Sequence, residues 1–319
     1  MVNYPHTLPE FERQFATEED CRTYLTAIRW ADGFHCPRCG GSEAWHSRQG
    51  LLVCRTCERK TSVVAGTIFQ GTHKELRLWF RAMWWVCSQK NGVSALGIQR
   101  VFGLGSYETA WTWMHKLRRS MVRPGRDRLS GTVEIDETYF GGPEAGMHGR
   151  KTEKAIVVVA AEKNGKGIGS IRLHCVPDVS ATSLLPFIEA AVVQGSTVDT
   201  DGWGGYNNLT SMGYIHNVTN IKRSGQLAHE LMPRVHRVAS LLKRWLLGTH
   251  QGGVQNHQLD YYLDEFTFRF NRRTSRSRGQ LFYRLIQQAV QVEPAPYKDL
   301  IMHQQTTKPR RTNLLQQRG

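Results

Sequence analysis

The chain has 319 residues, 40% of them hydrophobic, enough for two or three domains, and it lacks any run of about 18 apolar residues that could span a membrane. Lys and Arg outnumber Asp and Glu by 42 to 27, a net charge of +15 that points to a polyanionic partner, nucleic acid above all. Met1 to Phe11 has no apolar core of a secretion signal, and four of the seven cysteines form two close pairs, so a metal site in a cytosolic protein is expected rather than a disulfide framework.

Residues 1–33 read as a helical lead-in. Thr17 is placed to cap a helix, and Glu18, Glu19 and Asp20 follow it where carboxylates meet the positive end of the helix dipole. Residues 34–66 carry Cys36-Pro37-Arg38-Cys39 and Cys54-Arg55-Thr56-Cys57, two C-x-x-C units separated by fourteen residues, among β-prone pieces at 50–53 and 61–64. Each pair can sit on a tight knuckle, with Gly40 and Gly41 relieving the first, and together they supply the four thiolates of tetrahedral Zn2+. A closed four-sulfur shell leaves no open position, so this zinc is structural. The alternative, a redox dithiol pair, lacks a thioredoxin-like βαβ context. Arg38, His46, Arg48, Arg55, Arg59 and Lys60 surround the ribbon and fit DNA contact, and a protein-protein role is compatible too.

Residues 67–122 read as a helical DNA-binding segment. Leu76, Trp79, Phe80, Met83, Trp84 and Cys87 recur at helical spacing. A second short helix runs from Val93 to Phe102 and ends at Gly103; Gly105-Ser106 then starts a third, Tyr107 to Arg119, giving the outline of a helix-turn-helix. Trp111, Trp113, Met114 and Leu117 are assigned to its core. His115, Lys116, Arg118 and Arg119 are assigned outward, with Arg118 and Arg119 as the candidate DNA contacts.

After a linker at Arg123-Pro124-Gly125-Arg126, residues 123–295 read as an α/β domain with a mixed sheet: strand-like runs at 131–135, 155–160, 169–176 and 197–200, a turn at 164–167, a helix at 183–193, and helices from His229 to about Gln291. Residues 296–319 form a basic tail expected to be disordered. Asp136 is placed at the end of one strand and Asp201 at the end of another, before a Gly-rich turn. Alone, each is an ordinary turn former; converging at one sheet edge, the pair can hold the divalent metals of phosphodiester chemistry. Glu134 and Glu137 are assigned to the face opposite Asp136, and Asp199 to the face of Asp201. No phosphate-cradling G-x-x-x-x-G-K-[ST] loop occurs, so no ATP dependence is expected.

The segments Val133–Gly142, Thr200-Asp201-Gly202-Trp203, His236–His250 and Tyr262–Arg273 resemble an insertion-sequence transposase family of the DDE superfamily, of the ISXO-like kind, over about residues 8–290. The resemblance implies an N-terminal zinc ribbon, a helical DNA-binding segment and an RNase-H-like core. It implies Mg2+- or Mn2+-dependent cleavage at DNA element ends and attack of the freed 3′-hydroxyl on target DNA. It implies a homo-oligomer, at least a dimer, on DNA in the bacterial cytoplasm, associated with the nucleoid.

With thirty-four residues intervening after Asp201 stands His236, and seven further on Lys243, where the superfamily has an acid and then a base. His236 is thus one candidate third metal ligand beside Asp136 and Asp201; the other reading of it is a helix-start residue contacting DNA phosphate. Magnesium's preference for oxygen donors counts against a histidine there. Glu265 is the rival, sharing a helix face with Arg269 and Arg272. It is either a ligand or an anchor that orients these arginines toward DNA. Lys243 and Arg244 are candidate contacts to the phosphate beside the scissile bond. Two other functions remain open at this stage: a DNA-binding regulator with a dead core, and a structure-selective nuclease.

Overall fold

A computed structural model describes residues 3–123, 125–141, 154–219 and 227–301. These divide into two units, residues 3–123 with residues 275–301, and the described residues between 125 and 274. Residues 275–295, which the sequence reading joined to the α/β domain, therefore fold with the N-terminal half. Of the tail expected to be disordered, Tyr297–Ile301 form a helix with Leu300 buried, and the residues from 302 on lie outside the described ones.

The first unit opens with α1 (Leu8–Gln14) and α2 (Glu18–Arg29). Thr17 and Asp20 make a reciprocal capping box on α2. A three-stranded antiparallel ribbon follows, β1 (Ala44–His46), β2 (Leu52–Cys54) and β3 (Lys60–Thr61). Then come α3 (Leu76–Ser88), α4 (Ala95–Phe102) and α5 (Tyr107–Arg119). Gly103 ends α4 in the left-handed region and Ser106 caps α5, as the turn residues lead one to expect, whereas α4 starts two residues later than the sequence suggests, capped by Ser94. The start of α3 has no side-chain cap of its own. Glu18 supplies one from α2, its carboxylate accepting the amides of Leu76 and Arg77 at 2.9 and 3.0 Å.

The second unit contains β4 (Thr132–Phe140), β5 (Ala155–Asn164), β6 (Gly167–Val176), α6 (Ala181–Ala191), β7 (Thr197–Asp201) and β8 (Ile215–Thr219). They are followed by α7 (Ala228–Leu231), α8 (Pro233–His250) and α9 (Leu259–Asn271). The chain then returns to the first unit with α10 (Arg278–Ala289) and α11 (Tyr297–Ile301). In the first unit Phe282 of α10 packs among Phe11, Phe15, Phe80 and Trp84.

The sheet order is β6-β5-β4-β7-β8, with β5 antiparallel to its neighbours and β7 and β8 parallel to β4. Three hairpin strands followed by two parallel ones on the far side of the first is the RNase-H-like arrangement. Val133, Ile135 and Val198 pack toward Leu184, Phe187 and Ile188 of α6. The other face carries α8, which buries Val235, Val238 and Leu242. Helix α9 closes the outer edge of β6. Asp260 accepts the amide of Cys175, and Asn271 bonds both the amide and the carbonyl of Ile171. Strand groups that would otherwise invite another chain are thereby occupied.

Candidate functional site

The two C-x-x-C units fold as matching knuckles. Cys36 accepts the amide of Gly40 and donates its own to Gly41, both at 2.9 Å. Cys54 accepts the amide of Glu58 at 3.0 Å and donates to Arg59 at 3.1 Å. Gly40 and Glu58 both take left-handed backbone, φ 74° and 56°. A Cβ on Gly41 would lie 2.7 Å from Thr56 Oγ1 and 3.3 Å from the Cys54 sulfur, so glycine lets the knuckles meet. The four sulfurs lie within 4.8 Å of one another, with Cys36–Cys57 and Cys39–Cys54 at 3.6 Å. Tetrahedral zinc with Zn–S of about 2.3 Å requires sulfurs about 3.8 Å apart, so the donors fit a structural zinc. Among the described residues this is the one group of three or more potential ligands gathered so tightly.

The second site lies on the α8 face of the sheet. Strand β4 runs on to Phe140, so Asp136 sits in mid-strand and not at its end as the sequence reading had it. Asp201 does end β7, its carboxylate accepting the amide of Trp203 at 3.0 Å in a tight turn. His236, near the start of α8, brings Nε2 to 3.7 Å from Asp136 Oδ2. That nitrogen is buried and has no hydrogen-bond partner among the described residues. Burial, then the neighbouring His229, hold the imidazole below its ordinary pKa, which keeps a lone pair available for coordination. Lys243, two turns further along α8, places its ammonium 5.7 Å from the ring of Phe140. Arg244 beside it is exposed.

Beneath Asp136, on the α6 face, the buried Tyr206 hydroxyl donates to Glu137 at 2.9 Å. Burial pushes its pKa well up, and the charges of Glu137, Asp136 and Asp201 add to the effect. The three carboxylates thus share one neighbourhood. Asp199 is spoken for by Lys163 and by Asn217, whose amide donates to it at 3.1 Å.

Glu265 comes from another element. It lies on α9, which packs against β6, two strands from β4 in the sheet. It is fully buried, and its carboxylate holds the guanidinium of Arg269 at 2.8 and 2.9 Å. Arg272 folds back on its own helix, 4.2 Å from the ring of Phe268. In the first unit Arg118 is 1% exposed and His115 fully buried, so the expectation that these two face outward is corrected. The face of α5 that carries them turns into the core with Met114 and Leu117, and Arg119 is half-buried.

Residues 128–271 match the ISXO2-like transposase domain, and residues 16–60 match the transposase zinc-ribbon domain, together more than half of the chain. The chain belongs to this transposase family. A relative from Halobacterium salinarum, described as an uncharacterized protein in transposable element ISH50, is 27% identical over 283 residues, covering 81% of this chain and 92% of its own. Among solved structures, the catalytic core domain of BIV integrase is matched at 19% identity and a TM-score of 0.27, covering 43% of this chain and 81% of that one. A simian T-cell lymphotropic virus intasome, in complex with a PP2A regulatory subunit, is matched at 15% identity and 0.30, covering 73% and 78%.

In the transposase, one acid was placed on the wrong face by the sequence reading. Glu134 shares the face of Asp136, because residues two apart in a strand point the same way. Its carboxylate meets α8. The parity was present in the sequence; only Glu137, one residue from Asp136, takes the opposite side. No helix among the described residues is long and apolar enough to cross a membrane.

Proposed function

We propose that this transposase cuts DNA at the ends of its element and joins the freed 3′-hydroxyl to target DNA. The observation that carries the reading is the approach of a buried, orphaned His236 nitrogen to Asp136, on the strand next to the one that ends in Asp201. Two carboxylates and an imidazole are a reasonable donor set for Mg2+ or Mn2+, with Asp136 and Asp201 the hard oxygen donors and His236 the third. Ions bound there would supply positive charge to the attacking and leaving oxygens of the phosphodiester. The chain's own part is to hold the DNA. Lys243 and Arg244 reach from α8 toward the phosphate beside the scissile bond. Glu265 anchors Arg269 and does not bind metal. The ribbon and the α4–α5 pair, with Arg119 at its half-buried end, bind the element ends; Arg118, being buried, is no longer the first choice there. Activity on paired ends implies a homo-oligomer, at least a dimer, on DNA, working in the cytoplasm at the nucleoid.

The test is a strand-transfer assay with the full chain and DNA carrying both element ends, run in Mg2+ and in Mn2+. Asp136→Ala and Asp201→Ala are expected to give no product while retaining DNA binding. His236→Ala is expected to fall severely, His236→Glu to keep activity in Mg2+, and Glu265→Gln to lose less. A fully active His236→Ala beside a dead Glu265→Gln makes Glu265 the third ligand.

A further inference from the structure

Helix α8 begins without a cap of its own. Met232 offers no side-chain acceptor, and Pro233 at the first position has no amide to satisfy. The amide of His236 reaches Met232 O at 3.5 Å, which leaves the amides of Arg234 and Val235 without a partner in the helix. Both donate to one oxygen of Glu134, at 2.7 and 3.1 Å. The other oxygen takes the Arg234 guanidinium at 2.8 Å. That guanidinium also donates to the carbonyls of Gly165 and Gly167 in the β5–β6 turn, at 2.7 and 3.0 Å. Glu134 is 1% exposed. Both oxygens of this deeply buried carboxylate are therefore met, one by helix-end amides and the other by a guanidinium.

From these contacts we infer that Glu134 and Arg234 form a clamp that positions His236 against Asp136. The spacing supports this. Asp136 lies two residues beyond Glu134 on the same face of β4, and His236 lies two residues beyond Arg234 in the first turn of α8, so each proposed ligand sits within about 7 Å along the backbone of its half of the clamp. His236 then arrives 3.7 Å from Asp136. Glu134 and Arg234 are positioning residues, since neither needs to touch metal or DNA. The inference rests on the reading of Asp136 and His236 as metal ligands.

The test measures Mn2+ binding to the full chain by electron paramagnetic resonance of the free ion, alongside the Mn2+ dependence of strand transfer. Asp136→Asn serves as the reference for the ligand reading and is expected to lose the bound ion. Glu134→Gln is expected to weaken Mn2+ binding about 10- to 100-fold, the usual effect of removing a group that orients a ligand. Its strand transfer should recover toward wild type at saturating Mn2+, whereas a loss of folded protein would lower the plateau and leave the midpoint in place. Arg234→Lys keeps the charge beside Glu134 but gives up the forked grip on the two glycine carbonyls; it covers the case in which Glu134→Gln does not fold, and its midpoint should shift in the same direction by a smaller factor. If Asp136→Asn loses Mn2+ while both clamp variants bind as wild type does, the clamp is overturned and the ligand reading stands. If Asp136→Asn binds Mn2+ like wild type, the ligand reading falls, and the clamp with it.

Discussion

The ribbon and the sheet of the second unit both gather side chains of types that can bind metal, by opposite means. In the ribbon the four donors come from two short knuckles, each stabilised by its own backbone hydrogen bonds, and the sulfurs stand ready within 4.8 Å. In the second unit the proposed donors come from β4, β7 and α8, brought together only after sheet and helix have packed, and Asp136 and His236 remain 3.7 Å apart. A site built from local turns can be read from residue spacing. One built by packing depends on contacts between residues about a hundred positions apart, such as Glu134 with Arg234. The two sites should also fail differently: the ribbon should lose its fold with its metal, and the core should lose chemistry while keeping its fold.

The sharpest way to break that contrast is Asp201→Ala. Asp201 is partly exposed at a strand end, and Val198 rather than Asp201 packs into the core of the sheet. Removing its carboxylate should cost about 10³-fold or more in strand transfer, the scale on which groups that act in the transition state alone are lost. The melting temperature should move by only a few degrees, about 1 kcal/mol or less. A large loss of stability would make Asp201 a structural residue first.

The ribbon should behave the other way. Structural zinc contributes about 10–16 kcal/mol of apparent binding energy in small zinc modules, far more than a ribbon of short strands holds by itself. Cys54→Ser, or a strong chelator, should release the zinc, open residues 34–66 to proteolysis and abolish binding to element ends. The second unit should melt as before, because its core is separate from the ribbon. Metal analysis of the purified protein gives the starting count, and a protein free of tightly held zinc would overturn the ribbon reading.

The sequence showed most where the signal was local. Caps at Thr17 and Ser106, the stop at Gly103 and the cysteine knuckles all lie within a few residues of what they control. It showed least where a distant partner decides. Strand β8 (Ile215–Thr219) carries exposed residues on both faces and so lacks the alternation that marks a half-buried strand; its pairing with β7 defines it. Arg118 looks like a surface residue by type, yet the helix turns it inward. Helix α10 follows the α/β segment in sequence but packs through Phe282 with Phe11 and Phe80, more than 200 residues earlier. No periodicity in α10 points to that partner. In the core, Asp136 and Asp201 could be picked out by their flanking strands, whereas the role of Glu134 needed the position of α8.

A smaller change sharpens the view that the ribbon's stability is local. Glu58 holds the left-handed position in the second knuckle that Gly40 holds in the first, φ 56° against 74°. A side chain costs about 1–2 kcal/mol in that conformation, and glycine's greater freedom in the unfolded chain returns part of the difference. Glu58→Gly should therefore stabilise the ribbon by about 0.5–1 kcal/mol, seen as slower zinc loss to a chelator. The second unit should not respond.

The smallest effect expected belongs to the core and depends on pH. His174 on β6 lies 3.4 Å from Asp260 on α9, the carboxylate that also accepts the amide of Cys175 at the sheet edge. Burial works against the charged imidazole, but the hydrogen bond and charge of Asp260 outweigh it and hold the pKa above its ordinary 6.5. For Asp260 burial raises the pKa, and His174 with the Cys175 amide more than offset this, leaving it below its ordinary 3.8. The raised histidine contributes stability that is fully present below pH 6.5 and is lost as pH rises through its folded-state value. The depressed aspartate contributes stability present above pH 3.8 and lost as pH falls through its folded-state value. The pair therefore holds α9 to β6 best between those two ordinary values, and the grip loosens toward the alkaline side. Because the His174 side chain is half exposed, water screens the pair and the effect should stay below about 1 kcal/mol. His174→Gln should flatten the pH dependence of melting for the second unit as pH rises above 6.5 through the window in which the raised imidazole gives up its proton. Amide exchange at Cys175 is the local probe: it should quicken, beyond its ordinary base catalysis, as wild type crosses that window, and the extra acceleration should be absent in His174→Gln. If the two proteins show the same profile, the edge is held by backbone and Asn271 contacts alone, and the histidine adds nothing to the closure of the sheet.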